Sequence, residues 1–148
     1  DVALYLKLER LVLHLLERSD LRNQDNIWET MAHEAAVNGY ELLLDKLVKQ
    51  PNWDLVVNKR SKGKPTPLYE AAKNGHRRIV STLLEKGAKV NEKDKSERVP
   101  LHEAAANGHD DVVHFLLENG AKVDEGDKAG RVPLHEAAAH GRNAVIKF

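Results

Sequence analysis

Cysteine is absent from this 148-residue chain, so neither a disulfide framework nor a thiolate metal site can be built from it. Net charge is absent too, with 23 Lys and Arg against 23 Asp and Glu. That balance argues for neither a nucleic acid nor an anionic membrane, and leaves any electrostatic preference to how the charges are arranged. No stretch approaches the roughly 18 apolar residues of a membrane span. No Asn-x-Ser/Thr sequon, cleavable signal pattern or initiator Met occurs. Serine is confined to Ser19, Ser61, Ser81 and Ser96, which leaves a nucleophile–base constellation nowhere to stand. The phosphate-cradling Gly-x-x-x-x-Gly-Lys-Ser/Thr loop and the Gly-x-Ser-x-Gly elbow are both missing. These gaps speak against an enzyme, and no cofactor is expected. They favour an intracellular place, cytoplasmic with the nucleus left open. A chain opening at Asp1 is expected to be a piece of a longer protein.

What is present is a period. Pro67-Leu68, Pro100-Leu101 and Pro133-Leu134 recur at intervals of 33. The surrounding text repeats as Thr66-Pro67-Leu68-Tyr69-Glu70-Ala71-Ala72, Val99-Pro100-Leu101-His102-Glu103-Ala104-Ala105 and Val132-Pro133-Leu134-His135-Glu136-Ala137-Ala138. Each block leads to a glycine at one offset: Gly75, Gly108 and Gly141. Two continue through Leu83-Leu84 or Leu116-Leu117 to Gly87-Ala88-Lys89-Val90 or Gly120-Ala121-Lys122-Val123. A degenerate earlier copy runs from Thr30 through His33, Ala35-Ala36 and Gly39 to Val57-Asn58. Its Gly-to-Val interval is 18 residues instead of 15, and the three extra fall near Pro51-Asn52-Trp53.

Each recurring residue has a physical role. Thr66 is an N-cap whose hydroxyl accepts from a free amide of the first turn. Proline beside it occupies the first helical position, where its missing N–H costs nothing. The Ala-Ala pair keeps one helical face thin enough for close approach of a neighbour. The glycines suit the left-handed backbone that stops a short helix. Ile79, Val80, Leu83 and Leu84 form the apolar stripe of a second helix. The polar Lys/Asn/Asp/Ser-rich stretch beyond Gly87 reads as a turn. The unit is therefore helix, tight turn, helix, extended turn.

This pattern resembles the ankyrin repeat family, whose Thr-Pro-Leu-His, Ala-Ala, Gly, Leu-Leu and Gly-Ala-x-Val-Asn motif it follows over roughly four-fifths of the chain. The resemblance implies an all-α solenoid of stacked helix-turn-helix units with hairpin-like loops, acting as a non-catalytic protein-interaction module or scaffold. Departures are Val99 and Val132 in place of the capping Thr, each forgoing about 1 kcal/mol of cap, Tyr69 in place of His, and Asp124 in place of Asn. The expected division is an N-terminal helical region, 1–25, and repeats over 26–148, approximately 26–60, 61–93, 94–126 and a truncated 127–148.

The ends differ from the middle. Residues 1–18 form an amphipathic helix with Leu4, Tyr5, Leu8, Leu11, Val12, Leu15 and Leu16 on one broad face and Lys7, Arg10, Glu17 and Arg18 elsewhere. It is read as a cap on the open face of the stack; Leu6 and Leu13 widen its apolar surface, as a helix meeting an upstream domain or second chain would require. At the other end Val145, Ile146 and Phe148 begin a second helix that would be left partly uncovered, so the natural array is expected to continue.

No metal is expected. His135-Glu136-Ala137-Ala138-Ala139-His140 imitates a zinc-protease motif, but its second His stands at i+5, turned away from the first. His33, His102 and His135 are repeat positions expected to hydrogen-bond between loops.

In the ankyrin family, hairpin tips and the exposed side of the first helices do the binding. Carried over, the tips offer Lys62, Lys95 and Lys128, with Lys64, Arg98 and Arg131 nearby, as a basic row. The first helices offer Glu34, Glu70, Glu103 and Glu136 as an acidic row. Lys73-Asn74, Ala106-Asn107 and Ala139-His140 vary as a recognition surface would. Two readings stand for the lysines: they grip an acidic or phosphorylated segment of a protein partner, or they are solvated and keep the array soluble. A regulatory segment packed against an enzyme, channel or toxin domain of a larger protein is the competing role.

Overall fold

A computed structural model describes residues 2–17, 25–60 and 63–146. Ten helices follow in order among these residues: α1 (Val2–Glu17), α2 (Asp25–Asn38), α3 (Glu41–Leu47), α4 (Trp53–Val56), α5 (Pro67–Asn74), α6 (Arg77–Glu85), α7 (Pro100–Ala106), α8 (Asp110–Glu118), α9 (Pro133–Ala139) and α10 (Asn143–Ile146). No strand occurs among the described residues. The first helices α2, α5, α7 and α9 stack in one layer, each on the next. The second helices α3, α6, α8 and α10 stack in another, and α1 extends that layer by packing on α3.

The stack follows from the recurring residues. Thr66 Oγ1 accepts from the Tyr69 N–H at 3.4 Å, and Pro67 opens α5. Gly75 ends the helix at φ 73°, a left-handed conformation open to glycine. Ala71, Ala72, Ala104 and Ala105 are completely buried, which is what lets the first helices approach one another. Leu68, Leu83, Leu116 and their neighbours fill the space between the layers. Burying one such side chain contributes about 1.5–3 kcal/mol.

The valines at the N-cap positions have no hydroxyl, yet the caps are half made. His102 Nδ1 accepts from the Val99 N–H at 3.1 Å, and His135 Nδ1 from the Val132 N–H at 3.1 Å. An N–H can only donate, so the His102 proton sits on Nε2, which donates to the Arg131 carbonyl at 2.8 Å. The bond between loops expected of His102 is thus present, and it fixes the ring's tautomer.

The first copy and the two ends depart from the repeat pattern in particular ways. With Met31 where later copies carry proline, α2 does not begin at Thr30 but extends back to Asp25. Thr30 lies inside the helix, so buried His33 Nδ1 has no cap amide to accept from and stands unpartnered. The three extra residues near Pro51 become the short helix α4, and Trp53 Nε1 donates to the Lys86 carbonyl at 3.0 Å. On α1, Leu11 and Val12 share the face expected to be covered, but Leu11 is 56% exposed while Val12 packs on the core. Leu6 is also exposed, and the side chains of Leu4, Tyr5, Leu8, Leu13, Leu15 and Leu16 lie outside the described set, as do Arg18 and Phe148. At the far end Val145 is buried against expectation, while Ile146 is 41% exposed.

Candidate functional site

The loop between α6 and α7 is turned by Asp94, whose Oδ1 accepts from the N–H groups of Ser96 and Arg98 at 2.8 and 2.9 Å. Asp127 repeats this before α9, accepting from Ala129 and Arg131, both at 2.9 Å. A carboxylate that bonds the backbone two and four residues on makes a rigid turn. The Arg131 N–H holds the Asp127 carboxyl below its usual range against the opposing effect of burial, helped by the Ala129 N–H and the Arg131 charge. The turns are also tied to one another: Lys128 N–H donates to the Ser96 carbonyl at 3.0 Å. Behind them Asn58 and Asn91 donate to the carbonyls of Gly87 and Gly120, at 2.9 and 3.1 Å.

On this scaffold Lys64, Lys95 and Lys128 are exposed at the tips. Lys62 lies outside the described residues. Arg98 does not belong to the exposed row. Its guanidinium turns inward, Nε donating to Glu103 at 2.8 Å and Nη1 lying 3.0 Å from Glu136 Oε1 and 3.5 Å from Asp127 Oδ2. Arg131 is half-exposed and leans on the same acids, 3.4 Å from Asp127 and 3.2 Å from Glu136. Both guanidinium contacts to Glu136 Oε1 are close charge contacts whose N–H directions miss the hydrogen-bond line.

The acidic row is corrected by the same geometry. Glu136 is buried and Glu103 half-buried, both facing Arg98, so neither presents a free carboxylate to solvent. Burial pushes the Glu136 carboxyl up, but the Arg98 contact and the charges of Arg98 and Arg131 outweigh it and hold the group below its usual range. Tyr69 joins the network from the preceding repeat: its single hydroxyl hydrogen is shared between Asp94 Oδ2 at 2.7 Å and Glu103 Oε1 at 3.0 Å. Burial and these two acids raise the phenol above its usual range. Glu70 is half-buried like Glu103, and Glu34 is the one glutamate of the row that is exposed.

The ends of the first helices stay open. Lys73, Asn74 and Asn107 are exposed, and His140 is half-exposed. Asn74 and Asn107 each donate back to the carbonyl four residues earlier, of Glu70 and Glu103, at 2.8 Å, and His140 Nδ1 donates likewise to Glu136 at 2.9 Å. Ala106 is buried. The residue after each glycine was not singled out from sequence, yet it staples the repeats. His76 Nε2 meets the Val37 carbonyl at 3.0 Å, His109 Nε2 the Lys73 carbonyl at 2.9 Å, and Arg142 Nε the Ala106 carbonyl at 3.0 Å. A polar side chain directly after Gly75, Gly108 and Gly141 was the signal available.

A family model described as ankyrin repeats in three copies matches residues 2–94, and one described as ankyrin repeats in many copies matches residues 101–148. The chain belongs to the ankyrin repeat family. Ankyrin repeats mediate protein–protein interaction and are typically non-catalytic. The match begins at residue 2 and so takes in α1 as well as the repeats that carry the motif. Leu11-Val12 and Leu15-Leu16-Glu17 repeat the order of Val112-Val113 and Leu116-Leu117-Glu118 in α8, in keeping with α1's place in the layer of ankyrin second helices. Among the described residues no helix is long and apolar enough to cross a membrane, and no group of three or more His, Asp or Glu is placed to hold a metal ion.

Proposed function

We propose that this ankyrin array is a non-catalytic interaction module that holds a protein partner across its hairpin tips and the open ends of its first helices. The partner presents an acidic or phosphorylated segment to Lys62, Lys64, Lys95 and Lys128, with Lys73, Asn74, Asn107 and His140 contacting it beside the tips. One observation carries this reading: Lys95 and Lys128 stand exposed on turns fixed by Asp94 and Asp127 and bonded to one another through Lys128 and Ser96. A surface already ordered in the free protein loses little conformational entropy on binding. Arg98, Glu103 and Glu136 support that surface from beneath. The test is to map the bound partner by cross-linking, and to reverse Lys62, Lys95 and Lys128 to Glu. Cross-links at the tips and first helices, with weaker and less salt-dependent binding by the variant, support the reading. Cross-links confined to α6 and α8, with unchanged binding by the variant, overturn it.

A second reading is a regulatory segment lying against another domain of a larger protein. It is favoured by apolar side chains exposed at both ends of the stack, Val2, Leu6 and Leu11 on α1 and Val123, Leu134 and Ile146 at the other. In that case hydrogen exchange in the full-length protein would be slowed at these ends more than at the tips.

A further inference from the structure

The basic row is not uniform along the stack. The first hairpin, residues 58–66, carries Lys59, Arg60, Lys62 and Lys64 and no carboxylate. The second, 91–99, sets Lys93, Lys95 and Arg98 against Glu92, Asp94 and Glu97. The third, 124–132, has only Lys128 and Arg131 against Asp124, Glu125 and Asp127. At matched register, Glu92 and Glu125 become Lys59, Asp94 and Asp127 become Ser61, and Glu97 becomes Lys64. Folding sharpens this gradient. In the second hairpin Lys93 pairs with Glu125 at 2.7 Å and Glu97 at 3.8 Å, and Arg98 is turned inward. Its remaining cation, Lys95, leans across the boundary onto the first hairpin: its ammonium would lie 2.6 Å from a Cβ built on Gly63. Gly63 stands at φ 79° and leaves that space open.

Lys59 is committed to Glu29. Arg60, Lys64 and Lys95 are exposed, and none of them has an ion-pair partner among the described residues. Lys95 of the second hairpin adds its charge beside Gly63 to those of Arg60 and Lys64 of the first, and repulsion among these like charges is relieved by an anion placed between them. Arg presents a planar fork to oxyanions while Lys serves as a point charge.

We infer that the first hairpin is the anion-recognition site of the array, with Arg60, Lys64 and Lys95 gripping a carboxylate cluster or phosphorylated side chain on a protein segment. Lys128 lies outside it. This rests on the interaction reading above and narrows it from a row of lysines to one end of the stack. The expected consequence is directional docking, with the anionic end of the partner segment over the junction of the first and second repeats.

The experiment uses three fluorescent peptides of one sequence, carrying phosphoserine, a glutamate cluster or serine, and measures anisotropy at low and physiological salt. The anionic peptides should bind more tightly than the serine peptide, and less so as salt rises. Arg60→Glu with Lys95→Glu should weaken them by about tenfold, and Lys128→Glu by less than about twofold. A preference for phosphoserine over glutamate identifies the phosphorylated source; equal binding of the two identifies the carboxylate source. Equal losses in both variants overturn the localisation and leave the row as a whole in place. Absence of any anion preference overturns the site, while cross-linking at the tips would still uphold the interaction reading. Equal affinity for a single-stranded oligonucleotide overturns the assignment to a protein segment.

Discussion

Arg98 joins two repeats: its Nη1 lies 3.0 Å from Glu136 Oε1 of the following repeat while its Nε donates to Glu103 of its own. Glu103 also accepts from Tyr69 of the preceding repeat, so the network crosses two repeat boundaries beneath the tips.

Removing Arg98 leaves half-buried and buried carboxylates facing one another. Arg98→Met keeps much of the side-chain stem, so the loss should be electrostatic, about 2–3 kcal/mol, below the full cost of breaking a fully buried pair because the guanidinium retains some exposure. Arg131→Met, at a half-exposed side chain, should cost about 1 kcal/mol or less. Urea unfolding of the two variants measures the difference. Equal midpoints would show that Arg98 behaves as an ordinary surface charge.

Acid should destabilise the array in two stages. His33 is held below its ordinary 6.5, chiefly by burial, against its bond to the Lys59 carbonyl and the nearby Glu70 and Glu29. A lowered histidine contributes stability that is present above 6.5 and lost as pH falls through its depressed value. Glu136 is likewise depressed, so its contribution is full above 4.5 and lost only as pH falls through a value below that. Urea midpoints across this range should show both losses. His33→Leu should abolish the first, and Arg98→Met should shrink the second.

Gly75 combines a left-handed backbone with a ring pressed over it. A Cβ there would lie 2.5 Å from His109 Nδ1, whereas at Gly87 nothing lies within 4 Å. Gly75→Ala should therefore cost more than the roughly 1–2 kcal/mol of left-handed strain alone, and Gly87→Ala about that strain only. Adding His109→Ala to Gly75→Ala should recover part of the excess, read as coupling in a double-mutant cycle. Additivity of the two would place the cost entirely in the backbone.

Tyr69→Phe keeps the ring and removes the hydrogen shared by Asp94 and Glu103. Asp94 keeps its two backbone donors and Glu103 keeps Arg98, so the expected loss is about 1 kcal/mol. Thermal unfolding tests this. A loss well above that figure would mean that the hydroxyl holds the second tip in place.

The repeat, its helices and its stops were legible because each depends on a residue acting on its own backbone. Thr66 caps, Pro67 starts and Gly75 stops α5 through contacts within a few residues, and a period of 33 announces every equivalent. Even the loop-bridging role of His102 could be expected from its register. Extra residues near Pro51 were legible as well, but not their shape, since α4 is held by Trp53 reaching Lys86 in the next repeat.

What sequence could not decide is which charges remain free. Lys95, Arg98 and Arg131 all read as tip cations, yet only stacking brings Asp127 and Glu136 against Arg98 and sends Lys95 over Gly63. Leu11 and Val12 are equally apolar, and only the packing of α1 on α3 chose Val12 for the core. A linear pattern sets the periodicity of each helix and the identity of each charge. Ion pairing and burial depend on distances between repeats, and those exist only once the repeats are stacked.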